Sequence, residues 1–174
     1  MAGASANHNL IVANMIGELR NSLKRLPCRV FASDLRVAIE RDQHYVYPDA
    51  VVVCGEAEYL DESFDTLLNP TLVVEVLSES TERYDRGLKF AGYRRLPSVQ
   101  TVVFVSQERP VVEIYSRQGD DQWLLKEYEL PADTAVFISH HGVEIPLADL
   151  YRGITWPAAA DRPETPPSQG LPHR

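Results

Sequence analysis

The stretch Pro70-Thr71-Leu72-Val73-Val74-Glu75-Val76-Leu77-Ser78 decides how this chain folds. From Leu72 to Leu77 it is apolar and mostly β-branched, interrupted only by Glu75, with none of the alternation of a half-exposed strand. Such a run predicts a central strand covered on both faces. Glu75 then lies in the interior, where a carboxylate is costly unless it is paired or bound to a cation. Two partners satisfy that requirement: a metal ion, or a structural lysine or arginine.

Working outward, Ser78–Thr81 is a polar cap region, and Thr81–Arg95 is expected to be a helix. In it Tyr84, Leu88 and Ala91 share one face and Arg86, Lys89 and Tyr93 another. Asp85 and Lys89 stand one turn apart, a pair that on a solvated face is worth only a few tenths of a kcal/mol. Gly87 and Gly92 each weaken a helix by about 1 kcal/mol relative to alanine, which suggests a packing role. Further on, Val99–Val105 is β-rich. Val111–Ser116 and Trp123–Tyr128 flank Gly119-Asp120-Asp121 as a hairpin. Weaker strands are expected at Ala135–Ile138 and Val143–Ile145, a turn at His140-His141-Gly142, and a short helix at Pro146–Tyr151 with proline in its first turn.

On the N-terminal side, Leu10–Leu26 carries Val12, Met15, Ile16, Leu19, Leu23 and Leu26 in one apolar stripe, with Asn7 or Asn9 as cap and Pro27 as stop. Strands follow at Cys28–Ala32, Leu35–Ile39 and Tyr45–Val53, the last interrupted by Pro48. Between Gly55 and Pro70 the periodicity fails and acids accumulate (Glu56, Glu58, Asp61, Glu62, Asp65), which reads as a long acidic loop. A domain over residues 1–156 and a proline-rich, disordered tail over residues 157–174 complete the organisation.

The 174 residues suffice for one buried core, and no apolar run is long enough to span a membrane. Residues Met1–Leu10 lack the basic and apolar segments of a secretory signal. Cys28 and Cys54 are expected to be two small buried hydrophobes rather than a disulfide framework, and the expected location is the cytoplasm. The net charge of −8 gives no general attraction to nucleic acid, so a nucleic-acid function must rest on a local site. Nucleophile elbows and phosphate-binding glycine loops are absent, which leaves serine, cysteine and nucleotide-phosphate chemistries without support.

Asp49 follows Pro48 in Tyr47-Pro48-Asp49-Ala50-Val51-Val52-Val53. By itself it reads as a turn residue. If the strand runs through it, Asp49 at the beginning of one β run and Glu75 near the end of another could meet on adjacent strands. Two carboxylates so placed suit a hard cation such as Mg²⁺.

These residues resemble those of the Uma-two family, a large, mostly bacterial group of restriction-endonuclease-type proteins placed in the PD-(D/E)XK nuclease-like superfamily. The resemblance runs from about Asn7 to Trp156. It is carried by Tyr47-Pro48-Asp49, by Pro70–Ser78 with Ser80-Thr81, by the spaced Asp85, Lys89 and Tyr93, and by Leu96-Pro97-Ser98-Val99 and Pro146–Tyr151. It implies an α/β (α+β) fold with a restriction-endonuclease-like core, a mixed β-sheet flanked by helices. It further implies a Mg²⁺- or Mn²⁺-dependent endodeoxyribonuclease with catalytic Asp49, Glu75 and Lys89. The metal would be held by Asp49, Glu75 and the main-chain carbonyl of Val76, with Ser78 and Tyr93 supporting them. Leu77 occupies the superfamily's lysine position, so Lys89 on the following helix is the candidate replacement. Family members often carry a histidine near His8, which here reads as an incidental surface residue. The implied partners are nucleic acid, DNA first, and a second copy of the chain as a homodimer. The other readings are a catalytically degenerate nuclease fold that binds without cutting, and a structural or regulatory homo-oligomer whose Glu75 pairs with Lys89 or Arg86. The overall acidity and Leu77 favour them.

Overall fold

The computed structural model describes residues 4–40 and 44–156. The tail read at 157–174 and residues 41–43 lie outside them. The first element is α1 (Ala6–Leu23), whose buried stripe is Ile11, Met15, Leu19 and Leu23. Val12 and Ile16 only flank that stripe, and Leu26 lies beyond the helix, 48% exposed. The cap is Ser5, ahead of both Asn7 and Asn9. Its hydroxyl accepts the His8 amide and it also donates to Gln107, which ties the start of the helix to that distant residue.

The strands are β1 (Cys28–Ala32), β2 (Arg36–Glu40), β3 (His44–Val46), β4 (Ala50–Cys54), β5 (Thr66–Leu67), β6 (Leu72–Leu77), β7 (Thr101–Ser106), β8 (Val111–Arg117) and β9 (Trp123–Glu129). They build a mixed six-stranded sheet in the order β1-β4-β6-β7-β8-β9 and a three-stranded sheet in the order β3-β2-β5. The hairpin of β10 (Ala135–Ile138) and β11 (Val143–Pro146) and the short α4 (Leu147–Leu150) close the chain. β6 is buried at every position, as its composition requires, and pairs antiparallel with β4 and parallel with β7. One core lies between the large sheet, α1 and the β10–β11 hairpin, and contains Met15, Val52, Val74 and Ile145. The other lies beneath the small sheet and contains Val37, Val73, Tyr93 and Phe104.

Three expectations change. The strand read at Tyr45–Val53 is two strands in two sheets, because buried Pro48 has no N–H to offer a ladder and the chain crosses over at Pro48-Asp49. The acidic loop contains β5, which pairs parallel with β2, so part of it belongs to a sheet. Cys28 and Cys54 are not separate buried hydrophobes: they stand opposite one another in the β1–β4 register, Cα atoms 4.0 Å apart, half-buried and joined as a disulfide. That juxtaposition arises from strand pairing, which residue spacing does not display, and it removes one ground for the cytoplasmic expectation.

The helix read at Thr81–Arg95 exists but is not regular. Its pieces are α2 (Glu82–Tyr84), a π turn at Asp85–Lys89 and α3 (Phe90–Arg95). The Phe90 amide reaches back five residues to the Asp85 carbonyl. Gly92 earns its place by close approach, since a Cβ there would meet Ile39 Cγ2 at 2.7 Å.

Candidate active site

Four elements converge at the carboxyl end of β6. The β4–β6 register pairs Ala50 with Val74, and continuing it by one residue brings Asp49 beside Glu75. The Asp49 amide donates to the Val74 carbonyl at 3.1 Å, and Asp49 Oδ2 accepts the Val76 amide at 2.7 Å. The crossover residue is thereby stitched to the central strand by its backbone and its side chain. Its other oxygen, Oδ1, lies 3.0 Å from His8 Nε2 at the first turn of α1.

Glu75 is 1% exposed. Its Oε1 accepts the Tyr93 hydroxyl, and its Oε2 accepts Lys89 Nζ at 3.0 Å. Lys89 Nζ also lies 2.9 Å from Asp85 Oδ1 and 3.4 Å from the Tyr47 carbonyl. Asp85 is 2% exposed, so this i,i+4 pair is interior and not the solvated pair its spacing suggested. Asp85, Lys89 and Tyr93 form the inward face of the interrupted helix. Arg86 does not share it. Arg86 forks onto Glu113 at 2.6 and 2.7 Å and onto Glu82 at 2.7 Å.

Burial is the dominant electrostatic fact. It pushes the Glu75 carboxyl up to about 8, against the opposing pull of Lys89 and the Tyr93 hydroxyl, with Asp85 and Asp49 adding to the rise. Burial likewise carries the Tyr93 hydroxyl well above its ordinary range, with Glu75 adding to the rise. For Lys89 burial favours the neutral amine, but Glu75 and Asp85 outweigh it and the ammonium is held above its usual range. The hydrogen bond to Asp49 raises the His8 imidazolium, only partly opposed by burial.

The groups open onto a cleft of about 790 Å³ lined by His8, Asp49, Glu75, Val76, Asp85 and Lys89. Asp49, Glu75, Val76 and Lys89, expected together, are together here. Tyr93 supports Glu75 directly. Ser78 lines the same cleft, but its hydroxyl bonds to Ser80 and Thr81 at 3.1 and 2.9 Å and touches neither carboxylate. His8 is not incidental, since it is an Asp49 partner. Asp85 was placed on the helix but not assigned to the site. The signal for Asp85 was its four-residue spacing from Lys89. For His8 the one signal was the histidine that family members often carry there; periodicity offers none, because a contact 41 residues distant depends on how α1 docks. The pair His140-His141 lies elsewhere: His141 faces Thr71 and burial lowers it to about 4.

The donor set fits a small hard cation only in part. Among the described residues no group of three or more His, Cys, Asp or Glu side chains is arranged to hold a metal ion. Two carboxylates with a main-chain carbonyl nevertheless match Mg²⁺, which retains waters and takes its remaining ligands from substrate phosphates.

The site thus sits in a mixed sheet flanked by helices, with paired acids on neighbouring strands and a lysine on the next helix. The profile of the Uma2 family, described as "Putative restriction endonuclease", matches residues 1–148, and the chain belongs to that family. Two uncharacterized Synechocystis proteins are similar. One, sll1609, is 39% identical over 127 residues, 73% of this chain and 72% of that protein. The other, slr1290, is 34% identical over 156 residues, 90% of this chain and 80% of that protein. A crystal structure from Anabaena variabilis ATCC 29413, described as "a putative nuclease belonging to DUF820", is similar in fold. It has a TM-score of 0.68 and 16% identity over 86% of this chain and 83% of that one.

Proposed function

We propose that the protein is a divalent-metal-dependent endonuclease acting on DNA, with Mg²⁺ or Mn²⁺ at Asp49, Glu75 and the Val76 carbonyl. The observation that carries this reading is Glu75: a carboxylate 1% exposed, facing a cleft, with a pKa pushed up to about 8 in spite of an adjacent lysine. Neutral pH leaves that position short of positive charge, and a cation supplies it. When bound, the cation contributes Lewis-acid neutralisation of the phosphate and activation of water.

The protein's own residues do the rest. His8 and the Val76 amide hold both Asp49 oxygens in place. Tyr93 anchors one Glu75 oxygen and leaves the other to Lys89 or to the cation. Lys89 presents its ammonium to the scissile phosphate, where it orients the attacking water or stabilises the charge that accumulates on the phosphoryl oxygens. The net charge of −8 makes binding depend on this site rather than on a general basic surface.

A second reading is favoured by the ion pair itself. Glu75 and Asp49 already have protein partners, as in a degenerate nuclease fold that binds nucleic acid without cutting. Supercoiled, linear and single-stranded DNA, and RNA, incubated with protein in Mg²⁺ or Mn²⁺ decide between them. Cleavage abolished by Asp49→Ala and by Glu75→Ala supports the enzyme; cleavage that survives both variants refutes this site. Binding without cleavage under every condition selects the second reading.

A further inference from the structure

Lys89 stands between two interior carboxylates, Glu75 Oε2 at 3.0 Å and Asp85 Oδ1 at 2.9 Å. Asp85 has no comparable second partner: its Oδ1 is buried and, apart from this ion-pair contact, makes no hydrogen bond. The helix is interrupted at this point. The π turn over Asp85–Lys89 widens the backbone, and π turns concentrate at sites where side chains must be re-aimed. An exposed Asp–Lys pair needs no such arrangement and would contribute little.

We infer that Asp85 is a positioning residue for Lys89. It holds the ammonium at the cleft when Glu75 turns from the lysine to a cation. This inference rests on the proposed metal site for its purpose, but the geometry it uses belongs to this chain alone. A carboxylate cannot serve a lysine and a cation with the same oxygen at full strength. With Glu75 as its only carboxylate, Lys89 would keep just the Tyr47 carbonyl at 3.4 Å at the moment the phosphate arrives. With Asp85 as a second anchor, Lys89 stays within reach of the reacting phosphate, held by a group four residues away on its own element. Asp85 touches neither substrate nor cation in this scheme and acts through Lys89 alone.

The test separates the clamp from catalysis. Glu75→Gln removes the charge of the first anchor without any metal. Lys89 accessibility is read as its acetylation rate by acetic anhydride, quantified by mass spectrometry of the Lys89 peptide in cation-free full-length protein. The expected rate in Glu75→Gln stays within about threefold of the parent chain, while Glu75→Gln/Asp85→Asn rises by tenfold or more. Asp85→Glu in the Glu75→Gln background should restore protection. Equal exposure of Lys89 in Glu75→Gln and in the double variant overturns the inference. In cleavage assays Asp85→Asn should lower kcat at least tenfold with KM changed less than threefold; a loss confined to KM overturns the positioning role. If the parent chain cuts nothing while the labelling pattern holds, the nuclease reading fails and the two-anchor clamp stands.

Discussion

Replacing Glu75 with glutamine should stabilise the cation-free protein, by an amount that grows with pH. The carboxyl has a pKa near 4.5 in the unfolded chain and about 8 in the folded one, because burial disfavours its charge. Between these values the folded state carries a proton that the unfolded state has released. Stability therefore falls as pH rises. The contribution is fully present below about 4.5 and is lost as pH climbs through about 8. At ~1.4 kcal/mol per pH unit the gap corresponds to about 5 kcal/mol. Lys89 sits between Glu75 and Asp85 and can shift toward either, so an effect of about 2–5 kcal/mol is expected. Glutamine retains an oxygen for the Tyr93 hydroxyl and has no charge to bury, so its stability should lack this dependence. Urea unfolding of both proteins, in chelator and at intervals from pH 4.5 to 8.5, gives the difference directly. The curves should lie close together near pH 4.5 and separate steadily above it. A difference that is constant across this range, or one that shrinks with pH, refutes the view that burial outweighs Lys89 and Tyr93 in setting the charge of Glu75.

Three further outcomes follow from the same structure. The His8 ring, followed by NMR, should titrate above the ordinary 6.5 because it donates to Asp49, and the rise should disappear in Asp49→Asn; an unchanged midpoint in that variant removes His8 from the site. Its stabilising contribution is present at low pH and lost as pH rises through that raised midpoint. Arg86→Met should destabilise the fold by about 1–3 kcal/mol in chemical denaturation, because Glu113, whose side chain is 11% exposed, loses a two-pronged partner. Gly92→Ala should cost about 1–3 kcal/mol through the contact with Ile39, and Ile39→Val should not rescue it fully, since valine keeps a branched methyl at the same carbon.

The large-scale architecture was legible because burial leaves a composition signature. β6 declares itself by six residues that need cover on both faces, and the β8–β9 hairpin by its turn. Glu75 was legible for the same reason, since a charge in such a strand requires a partner. Asp49 was not. In isolation it is a residue after proline, and its standing came from the resemblance until the Val76 and His8 contacts were in view. What stayed hidden depends on long-range placement. The partition of residues 44–54 into two sheets, the Cys28–Cys54 juxtaposition and the docking of His8 are set by how elements pair, not by local periodicity. Asp85 is an intermediate case. Its spacing from Lys89 was visible, but regular helical geometry does not predict the π turn at which both side chains face the buried end of β6.

The central claim is that Asp49 and Glu75 form one cation site. Calorimetric titration of the purified chain with Mn²⁺ near neutral pH tests it most directly. The account predicts saturable binding that releases protons, because Glu75 must give up its proton to accept the cation, and it predicts loss of that binding in Glu75→Ala and in Asp49→Ala. Mn²⁺ binding of undiminished strength in either variant would contradict it.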